Sequence, residues 1–539
     1  MIRPRGVLAA EGNLGRGPEG VAATQSSIYY APRPARAAQV GMNIDPTIPK
    51  LEALKAAGVD YVRMGPSWPA VEDFTTGQLT LPKGATAAFE FMAVNGMHPV
   101  CVAAYGPPNF KVAQLTIAAN VPVGSLTIPL TAPPPNLKIP CDFVSLAHTK
   151  GHKAQFITNP FYAYYGSIVA GSEGNSIKLG AKTSVALTAG QELNLRRLRY
   201  QPIPDLNPNG KSVRAYMRYA RFVAEQVVSH GCTGYVCLWN EYPWTMDKWP
   251  SLYGFYEETT RPVSLVRDKG MAAILLAALK EPHLPAGVNW INGASDKTGY
   301  NSILNQFENA PGVLTAASVN GWREGMHPYN GRGPEAGAGW DDELKLANRT
   351  LDLSTNFIVM ARWDRASGFD IRPIATECGA TWEDPVEQAR QDLRRVASMW
   401  GMGIVPFLGL EQAPTGSLSY LALQRLTSLR DSLGPGGDRS KCPRVASVTG
   451  NAWPIMSIAL FGEHGAMLLI WQRTWALLPK DEPGGGWANV PSPPPATVTL
   501  ALGSAGHITG IQNVCSGESL PSELTVPVAD DPIAVLVTA

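Results

Sequence analysis

Little in this 539-residue chain is lopsided, and what is missing narrows the function first. Neither sign of charge prevails: Lys and Arg total 45 against 44 Asp and Glu, for a formal net charge of +1. So even a balance raises no field that would gather nucleic acid or an anionic membrane surface, so neither is expected as a partner. A charged sugar held in one local pocket remains compatible with it. No apolar run of about 18 residues occurs, so no membrane span is expected. The basic start Met1-Ile-Arg-Pro-Arg5 leads into residues 6–20, which glycines and charges interrupt, unlike the apolar core of a signal peptide. Location therefore stays open between the cytoplasm and a secreted or periplasmic form whose signal has been removed. The seven cysteines are odd in number and show no C-x-x-C spacing. Cys101, Cys232 and Cys237 sit in or beside apolar runs and read as small buried thiols. The eight histidines are scattered without H-E-x-x-H or similar spacing, so neither a metal nor a cofactor is expected. Gly434-Pro-Gly-Gly437 is a turn rather than a phosphate loop, lacking the following Lys-Ser/Thr, and no G-x-S-x-G nucleophile elbow occurs at a strand–helix turn.

What is present is rhythm. The length favours one large domain with additions, and 53 Gly with 46 Pro point to many loops and strands. From about residue 38 short apolar runs alternate with amphipathic helical stretches, the pattern of a parallel sheet wrapped by helices. Strands are expected over 38–45, 61–65, 99–105, 234–239, 287–291, from 317, over 371–376 and over 403–409. Helices are expected over 49–57, 85–95, 213–230, 262–279, 302–307, 344–365, 386–399 and 420–433. Eight of each in alternation predict a (β/α)8 TIM barrel over residues 38–440, preceded by an N-terminal extension, 1–37. Residues 111–205 break the rhythm with β-branched alternation and turn residues, and predict a β-rich insertion between the third strand and its helix. Residues 445–539 end in strand-like runs such as Ala496-Thr-Val-Thr-Leu-Ala-Leu502, and predict a C-terminal antiparallel β-sandwich domain.

In such a barrel chemistry sits where the strands end. Strand four delivers Trp239-Asn-Glu241, strand seven Thr376-Glu-Cys-Gly379, strand six runs into Met326-His-Pro-Tyr329, strand two supplies Arg63, and strand eight ends near Glu411-Gln412. Two carboxylates facing each other across the mouth are what double-displacement cleavage of a glycosidic bond requires, at a separation of about 5–5.5 Å. One is protonated to donate to the leaving oxygen while the other, ionised, attacks the anomeric carbon. Asn240-Glu241 directly after an apolar strand, with Glu377 closing strand seven, resembles the clan A glycoside hydrolases over roughly residues 38–435, insertion excluded. The barrel followed by a C-terminal β domain looks most like family 39 of that clan, with families 5, 30 and 79 as rivals. The resemblance implies a retaining glycosidase acting on an oligo- or polysaccharide, with Glu241 as acid/base and Glu377 as nucleophile. It further implies that Asn240 holds the sugar 2-hydroxyl, that Tyr329 of the His327-Pro-Tyr329 segment hydrogen-bonds the nucleophile, and that Arg63 lies beside it. Two features depart from the clan pattern: the usual Pro directly after Asn-Glu is displaced to Pro243, and the insertion is unusually large.

Glu383 and Asp384, the neighbouring carboxylates, read more simply as helix-starting acids, and Cys378 as a small packing residue. Arg63 is equally compatible with a purely structural ion pair, and a turn around Pro328 is the less favoured competing reading of His327 and Tyr329. Aromatic side chains stack on sugar faces, and the 14 Trp allow for both platforms and core; Trp68, Trp244 and Trp382 are the expected platforms. Transglycosylation at the same site and non-catalytic carbohydrate binding are the alternatives. A lyase or aldolase would call for a strand-end Lys or a metal cluster, which the sequence does not offer. The insertion, following strand three, is placed next to the catalytic face.

Overall fold

The computed structural model describes residues 27–104, 106–146, 166–180, 182–183, 185–203, 205–240, 269–281, 284–292, 313, 315, 317–327, 372–379, 382–409, 413–450, 454–473, 475–478, 486–489, 494–504 and 506–538. Its centre is an eight-stranded parallel sheet. In chain order the elements are β1 (Gly41–Asn43), α1 (Ile48–Ala56), β2 (Tyr61–Met64), α2 (Lys83–Val94), β3 (His98–Ala103), α3 (Lys211–Ser229) and β4 (Gly234–Leu238). There follow α4 (Lys269–Leu279), β5 (Val288–Ile291), β6 (Arg323–Met326), β7 (Arg372–Ala375), α5 (Pro385–Met402), β8 (Phe407–Gly409) and α6 (Leu418–Ser432). Neighbours run β7-β6-β5-β4-β3-β2-β1-β8, and the ends meet through a parallel bridge between Ala375 and Pro406 and a bond from Ala375 N to Val405 O of 3.0 Å. A sheet closed in this way is the (β/α)8 barrel. Gly41 makes the closure sterically feasible: a Cβ there would lie 2.4 Å from the ring of Phe407 on the adjoining β8.

The barrel interior is layered by the two-residue period of its strands. Val100, Cys237, Ile291, Ile374 and Phe407 form an apolar middle layer. Arg63, two residues beyond Tyr61, and Thr376, two beyond Ile374, lie towards the C-terminal mouth. Tyr61, Tyr235, Arg323 and Arg372 lie towards the N-terminal one. Strand six differs from the sequence expectation. Residues 317–320 are a turn, in which Thr315 and Ser318 exchange backbone-to-side-chain hydrogen bonds of 3.0 and 3.1 Å, and the strand is Arg323-Glu-Gly-Met326. Its buried Glu324 hides it from any search for apolar runs. The helices expected over 302–307 and 344–365, and the first part of that over 262–279, lie outside the described residues.

Between β3 and α3 the chain builds an antiparallel sheet from Asn109–Thr116, Glu192–Leu198, Asp142–Leu146 and Gly166–Ser167, and a smaller pair from Thr127–Pro129 and Ser176–Lys178. These strands share their own apolar core of Leu115, Ile128, Val144, Ile177, Leu193 and Leu195 among others. Asp142, fully buried, receives Arg197 at 2.6 Å.

After α6 a seven-stranded sheet and a three-stranded sheet, Arg444–Thr449 with Ala496–Ala501 and Thr525–Val528, face each other across a second apolar core. The strands Ile455–Gly462 and Gly465–Gln472 are buried on both sides. Met456, Ile458, Leu460, Met467, Leu469 and Trp471 join the main core with the barrel helices. Ile455, Ala459, Leu468 and Ile470 face the three-stranded sheet. This two-sided burial is why both strands read as continuous apolar runs instead of alternating. Residues 1–26 of the expected N-terminal extension lie outside the described residues. Ile28–Tyr29 and Arg33–Pro34 pair in parallel with Ile455–Gly462, so the domain draws strands from both ends of the chain. Two-residue strands carry too short a pattern to be read as such.

One buried acid at the α5–α6 contact gives the fold a pH dependence. Asp392 accepts from Ser419 Oγ at 2.5 Å and Gln388 Nε2 at 2.8 Å, with Arg395 at 3.4 Å. Burial, only partly opposed by Arg395, pushes its pKa from 3.8 up to about 6. The folded chain therefore retains a proton there that the unfolded chain has already released. This contribution to stability falls as pH rises from about 4 to about 6 and is flat above. Urea midpoints of wild type and Asp392→Asn at pH 4.5 and 6.5 check it: the difference should move against wild type at the higher pH. An unchanged difference would refute it.

Candidate active site

The ends of five barrel strands, β1, β2, β4, β6 and β7, supply a network built around Glu377 and Arg63. Glu377 follows β7 directly, and its Oε1 accepts from Arg63 Nη1 of β2 at 2.5 Å. His327, immediately after β6 and fully buried, brings Nδ1 to 3.4 Å from the other carboxylate oxygen. The second arm of Arg63 donates from Nη2 to Asn240 Oδ1, just after β4, at 2.5 Å. Its first arm also reaches Asn43 Oδ1, at the end of β1, at 3.1 Å. Asn43 closes the ring by donating from Nδ2 to Thr376 O at 3.0 Å. The planar guanidinium thus spans three side chains from three strand ends, a task that suits Arg better than the single ammonium of Lys. Arg63 and Asn240 are buried, whereas the Glu377 side chain keeps 15% of its surface open. A cation in van der Waals reach of a carboxylate favours its ionised form, the form a nucleophile or base needs.

Backbone geometry singles out the β4 end as well. Trp239 has φ of 76°, one of two non-glycine residues with positive φ among the described ones. Such strain in a bulky residue persists only where the surroundings enforce it. Here Trp239 N donates to Ala103 O at 3.1 Å, Cys237 Sγ donates to Trp239 O at 3.1 Å, and the ring packs against Tyr216. Asn240 follows directly and meets Arg63 through its Oδ1. Cys378, next to Glu377, is buried and donates its Sγ–H to Phe407 O at 3.2 Å. Burial pushes its thiol up to about 12, which makes it a packing residue and not a nucleophile.

Of the expected site residues, Arg63, Asn240, His327 and Glu377 are therefore brought together. Glu241, Trp244 and Tyr329 lie outside the described residues, as do Glu411 and Gln412. Trp382 is half-buried shortly before α5, its backbone N–H held by Gln388 Oε1 at 2.8 Å. Asp384 caps that helix through a bond from Val386 N to its side chain, in keeping with a structural acid. Sequence reasoning missed Asn43, whose signal was a lone amide closing an otherwise apolar strand. It also missed Asn292, buried after β5, whose Oδ1 accepts from Gly325 N at 2.6 Å.

Trp68 is corrected. Rather than a sugar platform it is a fully buried core residue. Its ring is stacked on Tyr219 at 5.4 Å and on Tyr200 at 5.6 Å, and its Nε1 donates to Glu72 at 2.6 Å. Glu72, buried, also meets Arg199 and Arg218 at 3.1 Å each and the Tyr200 hydroxyl at 2.6 Å. The cluster clamps the base of the insertion to α3 and the loop after β2. A tryptophan after a barrel strand carries no sequence mark that separates a platform from such a clamp. Trp68→Ala is accordingly expected to cost about 3–5 kcal/mol in urea denaturation, while Trp68→Phe leaves KM for an oligosaccharide unchanged. A raised KM at unaltered stability would restore the platform reading.

A family 39 glycoside hydrolase from the gut symbiont Bacteroides cellulosilyticus WH2 superposes over 94% of this chain and 81% of its own, with TM-score 0.52 and 13% identity. The chain shares that enzyme's fold. A family 30 endoxylanase from Clostridium papyrosolvens C71 covers 96% of this chain and 99% of its own at TM-score 0.47 and 9% identity. CelM2, a bifunctional glucanase-xylanase from a metagenome library, covers 96% and 99% at TM-score 0.48 and 10% identity. Neither a protein-family model nor a curated protein matches the sequence. Among the described residues no helix is long and apolar enough to cross a membrane, and no group of His, Cys, Asp or Glu is arranged to hold a metal ion.

Proposed function

We propose that the chain is a retaining glycoside hydrolase that cleaves an oligo- or polysaccharide, with Glu377 as nucleophile and Glu241 as acid/base. The observation that carries this reading is the two-sided hold on Glu377 by Arg63 and His327, with the same Arg63 bound to Asn240, the residue preceding Glu241. A carboxylate on a barrel strand end, ionised by an adjacent guanidinium and still partly open to the mouth, suits attack on an anomeric carbon.

In the first step Glu377 forms a bond to the anomeric carbon as the glycosidic C–O bond breaks, and the proton of Glu241 goes to the departing oxygen. In the second, Glu241 takes a proton from water, whose oxygen displaces Glu377 from the sugar, so that two inversions give net retention. Asn240, its Oδ1 accepting from Arg63, uses its amide nitrogen to donate to the sugar 2-hydroxyl. Tyr329 adds a hydrogen bond to Glu377, and Trp244 and Trp382 stack on sugar rings. The fold shared with a family 39 enzyme supports the reading.

Hydrolysis of a panel of aryl glycosides and polysaccharides, with the anomer released first identified by NMR, tests the proposal. A product of the substrate's own configuration is expected. An inverted product would overturn the covalent mechanism, and products longer than the substrate would point to transglycosylation.

A further inference from the structure

The opposite end of the barrel holds a cavity of about 410 Å³, within the size range of small-molecule sites. Its polar lining is Arg33, Gln39, Tyr61, Tyr235, Arg323 and Arg372. Three arginines, two tyrosines and a glutamine thus share one lining, and each of these side chains carries at least one hydrogen-bond donor. The sequence scatters these residues between positions 33 and 372, and the fold assembles them. Tyr61, Tyr235, Arg323 and Arg372 stand at the N-terminal ends of β2, β4, β6 and β7. Arg33 arrives from the N-terminal strand paired with Ile455–Gly462.

The lining is arranged, not random. Arg323 and Arg372 are in register across the β6–β7 pair, which sets the two arginines side by side on one wall of the cavity. Arg323 is steadied by Tyr235, donating from Nε to the phenol oxygen at 3.1 Å with its guanidinium 5.7 Å above the ring. Tyr61 donates to Gln39 Oε1 at 3.4 Å. Arg33 is fixed through Nε and Nη2 on Gly401 O at 3.2 and 3.1 Å. Gly403, in the left-handed region at φ 78°, keeps the wall open, since a Cβ there would lie 3.3 Å from the Arg33 guanidinium. Guanidinium forks match the paired oxygens of carboxylate and phosphate.

We propose that this N-terminal mouth is a binding site for a compact multivalent oxyanion, a small di- or tricarboxylate or a phosphate compound, separate from the Glu377 site. The apolar layer of Val100, Cys237, Ile291, Ile374 and Phe407 divides the two ends. Binding joins Arg33 of the sheet domain to β6 and β7 of the barrel, so the anion ties the two parts together and raises thermal stability by mass action.

Calorimetry at low ionic strength on the full chain tests the site, with citrate and pyrophosphate as probes and glucose as the neutral control. Saturable binding of one or both anions is expected, with a rise in melting temperature, and whichever binds more tightly distinguishes a carboxylate from a phosphate source. Arg323→Gln and the exposed Arg372→Gln should each weaken binding by about tenfold or more. Because Arg372 faces solvent in part, its variant keeps the test open should Arg323→Gln fold poorly. Glu377→Ala should bind the anion as wild type does. Absence of binding by either anion, affinity indifferent to both Arg variants, or loss of binding in Glu377→Ala would overturn the proposal.

Discussion

Glu377→Ala is expected to reduce kcat by about 10⁴-fold or more on the best natural substrate, equivalent to roughly 5 kcal/mol or more of transition-state stabilisation. No other carboxylate among the described residues occupies the point between Arg63 Nη1 and His327 Nδ1. Deleting it removes the bond-forming group. The fold should tolerate the change, because Glu377 lies beyond β7 and its side chain is 15% open. Circular dichroism and the urea midpoint of the variant should accordingly stay near wild type while turnover is lost. Glu241→Ala should behave differently, losing most on substrates with poor leaving groups and least on activated aryl glycosides, which need no protonation.

Arg63→Lys is expected to lower kcat/KM by about 10²-fold or more, although charge is conserved. A single ammonium cannot occupy the three positions at which the guanidinium now meets Glu377, Asn240 and Asn43. With Arg63→Met the cation is gone as well. Glu377 then protonates more readily, and the acidic limb of the pH–activity profile moves to higher pH. A merely structural arginine would change stability and leave that limb in place, so the profile separates positioning from packing. The Met variant should also show the larger loss, since it leaves Asn240 Oδ1 without its 2.5 Å donor.

Much of the barrel was legible because its strands are short apolar runs bounded by turn residues. Tyr61–Met64, Gly234–Leu238 and Arg372–Ala375 lie within a residue or two of where the pattern put them. β6 was not, because Arg323 and Glu324 interrupt the run with charge and the apolar signal of residues 317–320 belongs to a turn. The strands Ile28–Tyr29 and Arg33–Pro34 were missed since pairing over two residues is decided by the partner strand, not by local pattern. At the site, strand-end position together with the resemblance to clan A glycoside hydrolases pointed to Arg63, Asn240, His327 and Glu377. What the sequence could not convey was that Arg63 joins two of them at once, nor that Asn43 completes the ring. Trp68 shows the limit most clearly: whether an indole is covered by Tyr200 and Tyr219 or offered to a sugar depends on contacts 132 and 151 positions away (200 − 68 and 219 − 68).

The central assignment, Glu377 as nucleophile, is tested most directly by adding azide to Glu377→Ala with the best aryl glycoside and determining the anomeric configuration of the product by NMR. Azide is expected to restore turnover and to yield a glycosyl azide of configuration opposite to the substrate, because the small anion attacks from the face the carboxylate has vacated. A variant that turns over normally without azide, or one that azide rescues with a product of the substrate's own configuration, would contradict it.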